Sequence, residues 1–122
     1  MQSQKFSIRQ RLKSFDFAFA GLIHFFTTQH NAIIHAIATA VVAGLCITLP
    51  LTVTEFIIII WCVACVWMAE LFNTAIEKIC DHIAPHYSLK IKFVKDVAAA
   101  AVLVAAIAAF VTGLFIFIPK FL

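Results

Sequence analysis

Four polar residues recur along one stretch of the sequence at intervals that suit one face of a helix. They are Glu70, Asn73, Glu77 and Asp81, and the last three follow the first by three, seven and eleven residues. At about 100° per residue the three acids fall within roughly 40° of one another, with Asn73 one column aside. We call these residues the polar stripe; on a helix it is about 16 Å long. Carboxylates so spaced can bind cations, move protons or, beside a lysine, hold a metal with nucleotide phosphates.

The segment before the polar stripe has the composition of a membrane interior. Residues 56–69 (FIIIIWCVACVWMA) carry no charge, and Trp67, Met68 and Leu71 surround Glu70 in the sequence. An ionisable group in a spanning segment is costly and by default marks a functional site. Asp81 could simply belong to the solvated end of the helix, but that explanation fails for Glu70.

The composition of the whole chain supports the same interpretation. Hydrophobic residues make up 64% of the 122 residues and charged residues 12%. A soluble domain is closer to half apolar and about a quarter charged. The sequence therefore predicts a small polytopic membrane protein. The net charge of +3 comes mostly from two basic clusters. Membrane topology or anionic headgroups explain these clusters, so we expect no nucleic-acid partner.

The apolar runs predict an all-α integral membrane protein with a single domain over residues 1–122. We expect an interfacial amphipathic helix at about 5–28 and spanning helices at about 32–49, 54–83 and 97–118. Residues 82–93 are predicted to be a polar loop broken by Pro85, and Pro119 to end the last span.

The distribution of Lys and Arg predicts the orientation. Basic residues collect in the N-terminal helix and in the 82–96 segment, whereas the turn at Pro50 has none. Cytoplasmic loops are enriched in Lys and Arg, so both basic regions are expected in the cytoplasm. Lys95 and Asp96 then lie at the cytoplasmic mouth of the third span, level with the polar stripe. A cation beside a metal held by acids is what phosphoryl transfer requires.

The stretch ELFNTAIEKICD (70–81) resembles the signature of the small prokaryotic diacylglycerol kinase family, which includes the undecaprenol kinases. The resemblance extends over nearly the whole chain. Its supporting matches are Lys13-Ser14-Phe15, Gly21-Leu22, Asn31, His35 and Lys95-Asp96.

This resemblance implies a homotrimer of three-span subunits in the bacterial plasma (inner) membrane, with an N-terminal interfacial helix and active sites shared between subunits. ATP and Mg²⁺ would arrive from the cytoplasm, and a lipid alcohol, diacylglycerol or undecaprenol, from the bilayer. The closing stretch 113–120 (GLFIFIPK) and the loop stretch 87–90 (YSLK) are more similar to the undecaprenol kinase branch.

The resemblance also implies roles for individual residues. Glu70 would be the general base that takes the proton of the lipid hydroxyl, and Glu77 would hold the metal. Asn73 and Asp81 would orient this cluster. Further ATP-binding positions are Gln10, Phe17, Gln29, His86, Tyr87, Ser88, Lys95 and Asp96; Lys13, Ser14 and Ala99 would join Glu70 in contacting the lipid.

Two positions depart from the family pattern. Gln29 stands where the family usually has a glutamate as the second metal ligand. Its amide oxygen can ligate Mg²⁺ but brings no charge, so metal binding is expected to be weaker or to depend more on Glu77 and Asp81. Gln10 replaces an arginine that contacts the nucleotide, and its neighbours Arg9 and Arg11 can substitute for it.

Other interpretations remain open from the residues alone. A non-catalytic membrane protein could use the polar stripe to handle protons or cations, although this leaves the Lys95-Asp96 pair unexplained. His24, His30 and His35 surround the start of the first span. We interpret them as interfacial polar groups, with a hydrogen bond from His35 across a trimer as the alternative.

Overall fold

The computed structural model describes residues 5–122, and these residues form four α-helices. The helices are α1 (Ile8–Thr28), α2 (His30–Thr48), α3 (Val53–Ile83) and α4 (Leu89–Phe121). Of these, α2, α3 and α4 are each long and apolar enough to cross a membrane. The predicted all-α architecture with three helices able to span a membrane is confirmed.

Helix α1 begins at Ile8, slightly later than predicted. Ser7 is its N-cap in an extended conformation, and its hydroxyl accepts a hydrogen bond from the backbone N–H of Gln10. Serine favours this position because its side chain satisfies one of the unpaired N–H groups of the first turn. At the other end Gln29 turns to extended backbone, and its N–H donates to the carbonyl of Phe25. The location of α1 in the membrane interface stays a prediction.

Helix α3 carries the whole polar stripe without a break. It starts at a capping box, in which Thr52 Oγ1 accepts from the Glu55 N–H and the Glu55 carboxylate accepts from the Thr52 N–H, both at 3.1 Å. This reciprocal pairing satisfies two backbone donors at the start of the helix. The helix ends at Ile83, two residues before Pro85. A single rigid element therefore sets the spacing of Glu70, Asn73, Glu77 and Asp81.

Helix α4 is longer than the sequence predicts, so the predicted 82–93 loop is wrong at its bounds, whereas the membrane bounds of the 97–118 span stay a prediction. Only residues 84–88 are non-helical between α3 and α4. The first turns of α4 are basic, and their low hydropathy made them look like a loop in the sequence. They are helical nonetheless, and the i,i+4 ion pair between Lys92 and Asp96 supports that helix. Pro119 does not end α4, which continues to Phe121. A proline clashes with the turn before it and not with the residues after it.

Helices α3 and α4 pack against each other in antiparallel orientation. Asp81 near the end of α3 pairs with Lys95 near the start of α4. At the opposite ends, Glu55 Oε2 lies 3.0 Å from Lys120 Nζ. The two ion pairs are about 38 Å apart along the helices. Since a hydrocarbon core is about 30 Å thick, the charged ends of this pair of helices can both reach beyond it.

The described residues before His35 form one compact unit, and residues 35–122 form a second. The predicted single domain stays a prediction. In the second unit the usual burial pattern is inverted, because Glu70 and Asn73 are buried while many large apolar side chains are exposed. The buried apolar residues of that unit are Ile59, Cys80 and Ala98. Such an apolar surface suits lipid as the solvent, with ionisable groups facing the protein interior.

Candidate active site

The polar stripe becomes progressively more exposed along α3. Glu70 is 2% exposed and Asn73 6% exposed, Glu77 is half-buried, and the Asp81 side chain is 58% exposed. Exposure therefore rises along the stripe: one carboxylate is shielded from the surroundings and another is open to them. A shielded carboxylate suits proton transfer, and exposed carboxylates suit contact with a charged, soluble substrate.

Glu70 has a partner on α2 that the sequence did not reveal. His35 Nε2 lies 3.3 Å from Glu70 Oε2, and the exposed fractions of the two side chains are 19% and 3%. The interpretation of His35 as an interfacial group and its alternative, a bond across a trimer, both stay predictions; within the chain its ring faces a buried carboxylate. Both residues stand out as polar groups in apolar helices, but no sequence pattern shows that α2 and α3 bring them together.

A second contact between α2 and α3 lies one helical turn away. Trp67 Nε1 donates to Thr39 Oγ1 at 3.0 Å, and the same hydroxyl donates to the carbonyl oxygen of His35 at 2.7 Å. The His35 and Trp67 rings meet edge to face, with centroids 6.0 Å apart. These contacts fix the register of the two helices at the level of Glu70.

Asn73 carries a buried oxygen without a partner. Its side chain is 6% exposed, and among residues 5–122 no donor pairs with its Oδ1 atom. An unsatisfied buried acceptor costs about 1–3 kcal/mol, and a native structure retains such an atom for a reason. Asn73 is one turn from Glu70 on α3, so the free acceptor lies beside the candidate base.

The exposed end of the polar stripe meets the start of α4. Asp81 pairs with Lys95, and Lys92 pairs with Asp96. The sequence predicted Lys95 and Asp96 as a unit, whereas the structure gives each a different partner. The result is a surface on which acids and lysines alternate, and both lysines can turn to phosphate oxygens when a nucleotide is present.

The remaining predicted site residues of the second unit are near Asp81 and Lys95 in the sequence. His86 and Tyr87 are exposed in the 84–88 connection, and Ser88 is the N-cap residue of α4 in an extended conformation. The backbone carbonyl of Ser88 accepts from the N–H of Lys92. Ala99 is exposed on α4, next to the buried Ala98.

The predicted residues of the first unit lie on α1 or at its end. Lys13 and Phe17 are exposed, and the Ser14 hydroxyl donates to the carbonyl of Gln10 within the helix. Gln29, the C-cap of α1, donates from Nε2 to the Thr28 hydroxyl at 3.2 Å. The amide oxygen is the atom of this side chain that can act as a metal ligand, because the amide nitrogen only donates.

The donor set fits a hard cation that is held partly by a substrate. Within residues 5–122 no three His, Cys, Asp or Glu side chains gather into a group that could bind a metal ion by themselves. Mg²⁺ is usually bound by one or two carboxylates together with substrate phosphates. The half-buried carboxylate of Glu77 and the unpaired Asn73 Oδ1 supply oxygen atoms of the required kind.

Comparison with known proteins decides the family. Residues 16–117 match the family model of the prokaryotic diacylglycerol kinases. The chain belongs to the prokaryotic diacylglycerol kinase family. The match includes the polar stripe, the 84–88 connection and most of α4, so membership in this lipid kinase family rests on the region that contains the site.

Two curated relatives agree with this membership in the diacylglycerol kinase family. The chain is 36% identical over 108 residues to an undecaprenol kinase of Bacillus subtilis, covering 88% of each protein. It is also 36% identical over 112 residues to a diacylglycerol kinase of Synechocystis sp., covering 91% of this chain and 64% of that protein. The expected resemblance to a lipid kinase family is thus confirmed.

Proposed function

We propose that this protein transfers the γ-phosphoryl group of ATP to the primary hydroxyl of a membrane lipid alcohol, in a reaction that requires Mg²⁺. The acceptor class is diacylglycerol or undecaprenol, as in the two relatives. The observation that carries the proposal is the polar stripe: one helix presents a buried carboxylate at one end, a half-buried one further along and an exposed one at the other end. The alternative of a cation or proton carrier gives no role to Lys95, which pairs with Asp81.

Glu70 acts as the general base in this reaction. As the lipid oxygen forms a bond to the γ-phosphorus, the hydroxyl proton passes to the Glu70 carboxylate and the bond from phosphorus to ADP breaks. Burial supports this role, because water is kept from donating to the shielded carboxylate, which is left to accept the hydroxyl proton. The long apolar surfaces around Glu70 allow a hydrophobic substrate to approach from the side.

The residues on the exposed half of the polar stripe bind the nucleotide. Glu77 and Gln29 hold Mg²⁺, which when bound neutralises charge on the phosphate oxygens. Asn73 and Asp81 orient the cluster, and Lys95 and Asp96 contact the nucleotide. The connecting residues His86, Tyr87 and Ser88 and the α1 residues Gln10 and Phe17 complete the ATP site. Lys13, Ser14 and Ala99 contact the lipid.

The proposed setting is the bacterial plasma membrane. Helix α1 lies in the interface, α2, α3 and α4 cross the bilayer, and the N-terminus and the active site face the cytoplasm. The chains form a homotrimer in which neighbouring subunits share sites. The basic residues of α1 and of the first turns of α4 support this orientation, because positive charge is retained on the cytoplasmic side.

The decisive experiment is phosphate transfer by purified protein in mixed micelles. We expect label to pass from radiolabelled ATP to a lipid alcohol when Mg²⁺ is present, with diacylglycerol and undecaprenol assayed side by side. Glu70→Gln keeps the shape of the side chain and removes the base, so activity should fall by about 10²–10⁴-fold while the oligomer stays intact. Transfer to neither lipid, or an unimpaired Glu70→Gln protein, would refute the proposal.

A further inference from the structure

The contact between His35 and Glu70 has no part in the reaction described so far. It joins two side chains that are largely buried, across two helices, with 3.3 Å between Nε2 and Oε2. The pair is not a surface ion pair of the kind that forms and breaks freely. It is also a direct contact to the group that we assign as the base.

The imidazole is held in place by its neighbours. The Trp67–Thr39 hydrogen bond lies one turn from the pair on both helices, and the Trp67 ring packs edge to face against the His35 ring. Thr39 also bonds to the backbone carbonyl of His35. Precise placement of this kind is what a supporting residue of a catalytic group needs.

The contact has two physical consequences for Glu70. Nε2 carries a proton in the imidazolium and in one neutral tautomer of histidine, and in both forms it can donate toward Oε2. A donor at Oε2 satisfies one oxygen of this buried carboxylate and fixes the orientation of the side chain. With Oε2 facing His35, the second oxygen, Oε1, is left to face the substrate.

We infer that His35 is a positioning residue for the phosphoryl transfer: its Nε2–H engages Glu70 Oε2 and presents Oε1 to the lipid hydroxyl. This inference rests on the proposed function. In the step, the O–H bond of the lipid breaks and an Oε1–H bond forms, while the lipid oxygen bonds to the γ-phosphorus and ADP leaves with the electrons of the broken P–O bond. The proton then passes from Oε1 to water before the next turnover.

Two substitutions at one position separate donation from packing. His35→Phe keeps a ring beside Trp67 and loses the donor, whereas His35→Gln can place an amide N–H where Nε2 lies. We expect His35→Phe to lower kcat by about 10- to 100-fold, the effect of one hydrogen bond to a charged group. KM for ATP should change by less than about twofold, because the nucleotide residues are untouched. His35→Gln should recover most of the lost kcat.

Thr39→Val is the matched control for a loosened contact between α2 and α3. It removes the hydroxyl that Trp67 and the His35 carbonyl share but keeps the histidine and its Nε2–H donor. If His35 were only structural, Thr39→Val and His35→Phe would lose kcat and thermal stability together, and His35→Gln would not rescue. That pattern overturns the inference. If His35→Phe does not fold, His35→Leu serves as the second variant without a donor.

The outcomes distinguish this inference from the proposed function. The role of His35 alone is overturned by one set of results. In that set the unmutated protein is active, Glu70→Gln is inactive, and His35→Phe keeps kcat within about twofold of normal. A protein that labels neither lipid refutes both. An active protein with the rescue pattern described above supports both.

Discussion

Replacing Asn73 by leucine should make the protein more stable and less active. The two side chains have the same number and branching of heavy atoms, so the change is mainly one of polarity. Asn73 is 6% exposed, and its Oδ1 has no donor within the described residues. A position that keeps a polar atom at a cost in stability is expected where that atom serves a substrate.

The size of the effect follows from the burial of this one oxygen. Leaving a buried acceptor unsatisfied costs about 1–3 kcal/mol, and that penalty disappears with leucine. Leucine is also the better helix former by a few tenths of a kcal/mol. The free energy of unfolding should therefore rise by about 1–3 kcal/mol. Activity should fall by about 10- to 100-fold, because the substrate loses a polar partner next to Glu70.

Unfolding in detergent micelles, followed with and without ATP and Mg²⁺, measures both parts of this prediction. If the unmutated protein binds ATP and Mg²⁺ as proposed, a ligand at 100 times its Kd should stabilise it by about 2.7 kcal/mol. The Asn73→Leu variant should start from higher stability and gain less from the ligand. Asn31→Leu makes the same change at an exposed position of α2 and should alter stability by less than about 0.5 kcal/mol.

A loss of stability in Asn73→Leu would refute the reasoning. If the variant unfolds at least about 1 kcal/mol more easily while Asn31→Leu is neutral, then Oδ1 has a partner in the folded protein. Equal stabilisation of both proteins by ATP and Mg²⁺ would show that Asn73 does not contribute to the nucleotide end of the site.

Three further changes test other parts of the site. Gln29→Glu should lower the Mg²⁺ concentration needed for half-maximal activity, because a charged ligand binds the metal more tightly. An unchanged or higher Mg²⁺ requirement would show that Gln29 does not lie near the metal. Exchanging the charges of Asp81 and Lys95 in a double variant should preserve the ion pair and the free energy of unfolding. KM for ATP should nevertheless rise by about tenfold or more, the effect of one charged hydrogen bond. A normal KM would show that the pair is purely structural. Thr39→Val should lower the free energy of unfolding by about 1 kcal/mol through loss of the Trp67 hydrogen bond, and no change in thermal or denaturant unfolding would contradict that value.

The sequence was sufficient wherever the physics is local. Helical periodicity placed Glu70, Asn73, Glu77 and Asp81 on one helix, and α3 runs through all four without interruption. Hydropathy found the three long apolar helices, because burying the backbone of a spanning segment in lipid requires a helix with few charges. Its largest error was at the start of α4, where lysines lowered the hydropathy of residues that are nonetheless helical.

The tertiary structure decided which side chains meet. His35 and Glu70 are thirty-five positions apart in the chain, and their contact depends on the register in which α2 packs against α3. The same is true of Asp81 with Lys95 and of Glu55 with Lys120, which depend on the antiparallel packing of α3 and α4. The composition of these apolar helices does not distinguish one set of facing residues from another. The packing of the helices decides which pairs form. Many registers between two helices have similar local energies, and the sum of all contacts between residues far apart in the sequence selects one of them.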